Sequence, residues 1–161
     1  MPTHAEKRPM PYTPDQMYRL VADIEKYPEF LPWTAACRVR GMRPAEDLGA
    51  GAEVIDADLV ISFKVFRERF GSRVTLRPAD STIDVEYLDG PFKYLNNHWR
   101  FVENADGSCT IDFFVDFEFK SRMLQSIVGV VFDEAVRRLV GAFERRADAL
   151  YGRPAGAAAP A

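Results

Sequence analysis

Residues that build metal centres and thiol chemistry are scarce in this sequence. Its 161 residues include two cysteines, Cys37 and Cys109, and two histidines, His4 and His98. The cysteines form no Cys-x-x-Cys pair, and residues this scattered do not match the ligand spacing of a zinc site. We therefore predict no metal site, and we interpret both cysteines as small packing residues of a reduced, cytoplasmic protein.

Strong charge and long apolar runs are also missing. The formal net charge is −3, which argues against DNA, or any other nucleic acid, as the main partner. No apolar run approaches the roughly 20 residues that span a bilayer, and the N-terminal residues show no signal-peptide pattern. We expect any membrane contact to be peripheral and transient. Phosphate-binding glycine loops and nucleophile elbows are absent as well, so we predict no catalytic residues.

Aromatic residues and regular apolar patterns are what the sequence does contain. Twelve phenylalanines and a long stretch of alternating apolar and polar residues predict an aromatic-lined antiparallel sheet. Helical spacing of apolar residues instead marks a short early helix, capped by Thr13, and a long last helix, capped by Ser121. The predicted elements are an edge strand at 3–9, helices at 14–22 and 122–151, and strands at 36–42, 53–63, 68–77, 81–88, 94–103 and 111–119.

This order of elements predicts an α+β fold in which a curved antiparallel sheet of about six or seven strands wraps around the long C-terminal helix. A curved sheet and a single helix rarely fill the space between them, and cavities lined by apolar side chains bind apolar ligands. The predicted ligand-binding residues on the strands are Leu59, Ile61, Val74, Val85, Tyr87, Trp99, Phe101, Phe113 and Phe117, and those on the helix are Val128, Val131, Phe132 and Ala135. Further along that helix, the predicted packing residues are Leu139 and Phe143.

The segment 27–33 combines aromatic residues with two prolines. Pro28 and Pro32 each fix φ and exclude a long helix, so we expect a turn or a single helical turn. Two interpretations stay open: a hydrophobic plug at one end of the core, or a lid over an apolar ligand. On the lid interpretation the ligand contacts are Phe30, Leu31, Trp33 and, after the next irregular turn, Phe92.

The predicted inner faces of the strands contain few polar or ionisable side chains. They contain no His, Asp, Glu or Lys, so we do not expect the acid–base groups of an enzyme inside the cavity. Tyr87 supplies the one hydroxyl, which either hydrogen-bonds a ligand carbonyl or satisfies a backbone partner. Asp112, Asp116 and Glu118 alternate onto the opposite, solvated face of their strand. The pattern favours a binding protein over an enzyme.

Five motifs, in order along the chain, carry a resemblance to a known family. They are Val21-Ala22-Asp23 leading into Tyr27-Pro28-Glu29-Phe30-Leu31-Pro32-Trp33, Ser72-Arg73-Val74, Gly90-Pro91-Phe92-Lys93-Tyr94-Leu95 before Trp99-Arg100-Phe101, Asp116-Phe117-Glu118-Phe119-Lys120-Ser121, and Ala142-Phe143-Glu144-Arg145-Arg146-Ala147. Over about 3–151 the chain resembles the coenzyme Q-binding START-domain family of the polyketide cyclase/START superfamily. The resemblance implies the helix-grip fold and a single START-like lipid-binding domain at 1–151. We expect the Ala/Pro/Gly-rich tail at 152–161 to be disordered.

The resemblance also implies a function, with alternatives. It implies non-enzymatic binding and delivery of ubiquinone (coenzyme Q), a polyprenyl quinone, as a non-covalent ligand in support of respiratory electron transport. Such a protein would be cytoplasmic and would contact the inner face of the respiratory membrane peripherally. The family also contains a bacterial branch described as ribosome-association toxins, which implies the large ribosomal subunit as an alternative partner. A polyketide cyclase-like enzyme is the second alternative.

Overall fold

In residues 3–63 and 66–152, which the computed structural model describes, the chain forms a seven-stranded antiparallel sheet, one long helix and two short ones. The strands are β1 (Thr3–Met10), β2 (Thr34–Pro44), β3 (Glu53–Phe63), β4 (Phe66–Arg77), β5 (Thr82–Asp89), β6 (Phe92–Glu103) and β7 (Cys109–Phe119), and the helices are α1 (Pro14–Ala22), α2 (Tyr27–Phe30) and α3 (Arg122–Tyr151). Hydrogen-bonded neighbours follow the order β1-β7-β6-β5-β4-β3-β2. The predicted α+β architecture, a curved sheet with a long C-terminal helix, is confirmed.

Local sequence signals explain where α1 begins. Thr13 and Gln16 form a reciprocal cap: the Gln16 N–H donates to Thr13 Oγ1 at 3.1 Å, and the Thr13 N–H donates to Gln16 Oε1 at 3.0 Å. Pro14 lies in the first turn of the helix, where a backbone N–H has no acceptor within the helix, so its missing N–H breaks no hydrogen bond. The buried face of α1, which includes Met17 and Val21, then packs into the core.

One end of the sheet, which we call the mouth end, is where α3 begins. Strands β3, β5 and β7 end there, and β4 and β6 start there. Ser121 caps α3, and the Lys120 N–H donates to the Pro91 carbonyl at 2.8 Å, which ties the helix start to the turn between β5 and β6. Gly90 in that turn has a φ of 140°, and a Cβ there would lie 2.6 Å from Phe70 Cβ. The turn therefore needs glycine.

The opposite end of the sheet, the closed end, holds the filled core. There α1 and the C-terminal half of α3 cover the strands. Phe143 of α3 lies among three rings, with centroid distances of 5.6 Å to Tyr27, 5.4 Å to Phe30 and 5.2 Å to Trp99. Further buried members of the core are Met10, Met17, Val21, Ile55, Ala57, Val74, Leu76, Ile83, Phe101, Ile111 and Ala147.

Several strands are longer than predicted, because pairing with a neighbour extends them. Strand β6 begins at Phe92 rather than at 94, since Phe92 pairs with Phe119 of β7. Phe92 therefore belongs to the sheet and not to a separate lid. Strand β2 spans 34–44 instead of 36–42, and β4 begins at 66 instead of 68.

The predicted tail at 152–161 falls outside the described residues, apart from Gly152 directly after α3. Its disorder stays a prediction, and so does the single-domain boundary at 151. Among the helices of the described ranges, none combines the length and the apolar character needed to cross a membrane.

Candidate ligand-binding interior

Side chains on the inner face of the sheet are buried near the closed end and only half-buried towards the mouth end. On β3, Ile55 and Ala57 are buried near the closed end, whereas Leu59 and Ile61, next on the same face, are only half-buried. Because strand side chains alternate between faces, all four lie on the inner side. Inward-facing apolar side chains that keep exposed surface are incompletely covered by protein atoms, so the mouth half of the interior is less completely covered than the closed end. The same half-burial holds for Val85, Tyr87, Trp99, Phe113 and Phe117.

Helix α3 supplies the facing wall. Val128, Val131 and Ala135 recur at helical spacing on one stripe of α3, and all three are half-buried. Beside them Phe132 is buried, and its ring centroid lies 5.5 Å from that of Phe117. This contact holds the N-terminal half of α3 over β7. Phe132 thus lies against the sheet, and ligand contact by the four predicted helix residues stays a prediction.

Aromatic rings line the mouth end. The buried Phe92 ring contacts four others, with centroid distances of 5.4 Å to Phe70, 5.5 Å to Tyr87, 5.6 Å to Phe117 and 4.7 Å to Phe119. The Tyr87 hydroxyl accepts the Phe92 N–H at 3.1 Å, so the backbone partner considered for Tyr87 is present. The hydroxyl hydrogen itself has no acceptor among the described residues, which leaves it available to a ligand carbonyl.

The segment 27–33 closes one side of the core. Tyr27 and Phe30, both in α2, pack edge-on against Phe143. The Tyr27 hydroxyl donates to the Val21 carbonyl, and burial raises the pKa of that hydroxyl above its ordinary value. These contacts favour the plug interpretation for Tyr27 and Phe30.

An open pocket lies between this segment and α3. Its volume is about 510 Å³, and Phe30, Leu31, Arg138 and Arg145 are among the residues that line it. Phe30 and Leu31 therefore have one side against the core and one side in a pocket open to solvent. Trp33, which immediately precedes β2, is half-buried. Contact with both the core and an open pocket fits the lid interpretation as well as the plug interpretation.

Two predicted ligand contacts belong to the filled core instead. Val74 is 4% exposed and Phe101 is 3% exposed, and the Phe101 ring lies 5.8 Å from that of Tyr18 in α1. Both side chains are on the predicted inner face, but core residues cover them almost completely. A ligand contact by either residue stays a prediction.

Sequence reasoning missed the inner face of β1. Its side chains alternate so that Arg8, Glu6 and His4 lie on the inner side. Arg8 Nη2 donates to Glu144 Oε2 of α3 at 2.8 Å, and the His4 ring centroid lies 6.4 Å from that of Phe132. The prediction of an interior without His or Glu is therefore wrong for this strand. The alternation is visible in the sequence, but its inner face can be recognised only once the partner strand is known.

A larger open groove lies at the closed end, between α1 and the turn from β4 to β5. Its volume is about 1110 Å³. Charged side chains of both signs line it, among them Asp15, Arg19, Glu53, Asp80 and Arg100. Such a lining does not suit a long apolar ligand. The candidate site is therefore the interior between sheet and helix, not this groove.

Neither cysteine is a candidate nucleophile. Cys109 is buried and Cys37 is half-buried, and burial raises the pKa of each thiol to about 11. The thiolate, which is the reactive form, is therefore scarce near neutral pH. Within the described residues, no group of three or more His, Cys, Asp or Glu side chains is placed to hold a metal ion.

Both the sequence and the fold match known proteins. The sequence model of the polyketide cyclase / dehydrase and lipid transport family matches residues 10–144. The chain is 34% identical over 141 residues to the ribosome association toxin RatA of Rickettsia prowazekii, which covers 86% of this chain and 90% of that protein. It is 35% identical over 154 residues to the mitochondrial coenzyme Q-binding protein COQ10 homolog B of Xenopus laevis, which covers 93% of this chain and 59% of that protein.

Solved structures agree with the fold. The solution structure of the 18 kDa protein CC1736 from Caulobacter crescentus is 38% identical, with a TM-score of 0.77 over 94% of this chain and 99% of that one. The Zhui aromatase/cyclase from Streptomyces sp. R1128 has a TM-score of 0.75 over 98% and 99% of the two chains, but at 16% identity it shows a shared fold alone. The family match and the relatives above 30% identity together show that the chain belongs to the polyketide cyclase / dehydrase and lipid transport family.

Proposed function

We propose that the chain binds a polyprenyl quinone, with ubiquinone as the expected ligand, in the mouth half of the sheet–helix interior. It would hold and deliver this ligand without enzymatic turnover, in support of respiratory electron transport, as a single lipid-binding domain at 1–151. The observation that carries the proposal is the half-burial of apolar side chains on both facing walls, such as Leu59 and Val85 on the sheet and Val131 and Ala135 on α3. The lipid-transport description of the family and the name of the quinone-binding relative support it.

The half-buried, mainly apolar lining of the mouth half suits both parts of such a ligand. Each methylene group moved from water into an apolar surrounding contributes about 0.8 kcal/mol, so a tail of a few isoprene units outweighs the ordinary cost of association. For the head group, Tyr87 has a hydroxyl hydrogen to donate to a carbonyl. The Trp99 Nε1–H, by contrast, is already donated to Asn97 Oδ1 at 3.0 Å.

Tail length should control the affinity. We expect one long-tailed ubiquinone to bind per chain, and a tail-less quinone to bind about a hundredfold more weakly or worse, because the tail supplies most of the buried apolar area. Quenching of the intrinsic tryptophan fluorescence in parallel titrations measures both affinities. Equal affinity for the two ligands would rule out a tail-binding interior.

Delivery also requires contact with a membrane, and the start of α3 has side chains suited to it. Met123 is 63% exposed and Val130 is 85% exposed, so both can enter the apolar boundary of a bilayer. Lys120 and Arg122 are exposed next to Met123, and cations in this position favour anionic lipid head groups. These residues support the proposal of peripheral, transient contact at the inner face of the respiratory membrane by an otherwise cytoplasmic protein.

Association with the large ribosomal subunit is the alternative function, since several relatives are named ribosome association toxins. The arginines of α3 are the best cationic candidates for such a contact. Two of them are already paired: Arg146 with Glu29 at 3.2 Å and Arg138 with Glu134 at 3.0 Å. The surface is therefore mixed in sign, which favours the quinone proposal.

A sedimentation experiment separates these two functions. We expect the protein to stay in the supernatant when ribosomal subunits are pelleted from a lysate at moderate salt. Stable cosedimentation with the large subunit that falls as salt rises would favour the alternative, since salt screens contacts between exposed charges. The matched control is a double alanine variant of the exposed Arg137 and Arg145, which should lose such cosedimentation while keeping quinone binding.

A cyclase-like enzyme is the second alternative, and one observation favours it. His4 Nε2 lies 3.0 Å from Glu6 Oε1 on the inner wall, and such a pair can move protons. However, Arg8 Nη1 also lies 3.4 Å from Glu6 Oε2, so the same carboxylate is also engaged in an ion pair with Arg8. We therefore rank this alternative below the binding function.

A further inference from the structure

Strand β1 carries a row of polar side chains on the inner face of a mainly apolar interior. The His4 ring lies 6.1 Å from that of Phe113 and 6.4 Å from that of Phe132, both of them predicted ligand contacts. The His4 side chain is only 23% exposed, so it is set into the aromatic wall. The row consists of His4, Glu6 and Arg8, which pair across the strands with Val115, Phe113 and Ile111 of β7.

The hydrogen bonds of these three side chains determine which nitrogen of the neutral His4 ring carries the hydrogen. Its Nε2 lies 3.0 Å from Glu6 Oε1. A carboxylate can only accept, so in the neutral ring Nε2 carries the hydrogen and Nδ1 keeps a lone pair. Glu6 is held in turn by Arg8 at 3.4 Å, and Arg8 by Glu144 of α3 at 2.8 Å. Among the described residues, Nδ1 of His4 has no partner.

We propose that His4 Nδ1 accepts a hydrogen bond from a hydroxyl on the head group of the bound lipid, so that the protein prefers the reduced quinol to the quinone. The inference rests on the proposed function, because it concerns the same ligand. A neutral Nδ1 is an acceptor only: it matches the O–H of a quinol and faces the lone pairs of a quinone carbonyl unfavourably. Tyr87 makes no such distinction, because its hydroxyl can donate to a carbonyl or accept through its second lone pair. Discrimination between the two forms therefore depends on His4.

Anaerobic titrations at pH 8.5, which favours a neutral imidazole, measure this preference. The probes are a ubiquinone analogue with a decyl tail and its quinol. The wild-type protein should bind the quinol about three- to tenfold more tightly, the worth of one net hydrogen bond. His4→Phe keeps an aromatic ring in the wall and should lower that ratio to about one, because the variant loses the acceptor that distinguishes the two forms. His4→Gln, whose side-chain oxygen can accept, should keep part of the preference.

The possible results distinguish a failure of the proposed His4 role from a failure of quinone binding itself. An unchanged ratio in His4→Phe, or equal affinity of the wild-type protein for both forms, would overturn the role of His4 and leave quinone binding intact. Failure of the wild-type protein to bind either form would overturn the proposed function and this inference together. If His4→Phe folds poorly, nitrogen NMR of the wild-type imidazole decides: the Nδ1 resonance should move on adding quinol and much less on adding quinone. A resonance that responds to neither form, although both bind, also contradicts the inference.

Discussion

Replacing Phe143 with alanine is expected to lower the free energy of unfolding by about 3–5 kcal/mol. Phe143 is 7% exposed and packs against the rings of Tyr27, Phe30 and Trp99. Its removal takes away buried apolar surface and leaves a cavity between rings that different elements hold apart, so the site cannot collapse fully. Because a small domain is stable by only about 5–15 kcal/mol, this one change removes a large part of the total.

Urea unfolding followed by circular dichroism measures this loss as a lower midpoint at an unchanged slope. Val130→Ala is the control on the same helix, because Val130 is 85% exposed and its truncation should change stability by less than about 0.5 kcal/mol. A loss below about 1 kcal/mol for Phe143→Ala would contradict the packing of α3 against α2 and the sheet.

The helices were predictable because their signals are local. Thr13, Pro14 and Gln16 are consecutive or nearly so, and together they determine the start of α1 without help from the rest of the chain. The same holds for Ser121 at the start of α3. Both helices span the predicted residues, 14–22 and 122–151. The alternation of β7 is equally local, since each inward residue is two positions from the next.

The filling of the interior was less predictable, because it depends on contacts between distant segments. Val74 and Val85 lie directly opposite each other on β4 and β5, yet Val74 is buried and Val85 is only half-buried. Sequence periodicity identifies their common face but not where α1 and α3 cover it. His4 shows the same limit, since only its pairing with Val115 of β7 turns a polar edge strand into a wall of the interior.

Replacing Ala135 with phenylalanine is expected to abolish most quinone binding while leaving the melting temperature unchanged. In a filled core the larger ring would cost about 1–3 kcal/mol of stability through overpacking. Ala135 is instead half-buried, on the stripe of α3 that also carries Val128 and Val131, so on the proposed function we expect the ring to enter the ligand space without displacing protein atoms. There it occupies space that the tail would use. Displacing half an isoprene unit forfeits about 2 kcal/mol, or roughly thirtyfold in affinity.

Ala147→Phe is the matched control, because Ala147 lies on the same helix but is 0% exposed within the core. It should melt early, and its folded fraction should bind quinone normally. If Ala135→Phe is destabilised as strongly as Ala147→Phe and its folded fraction still binds quinone, the interior next to Ala135 is filled and the ligand lies elsewhere. Tail length then tests the position of the ligand: the loss in Ala135→Phe should shrink as the tail is shortened, since a short tail leaves room for the new ring. A loss that is the same for every tail length would place Ala135 beside the head group instead.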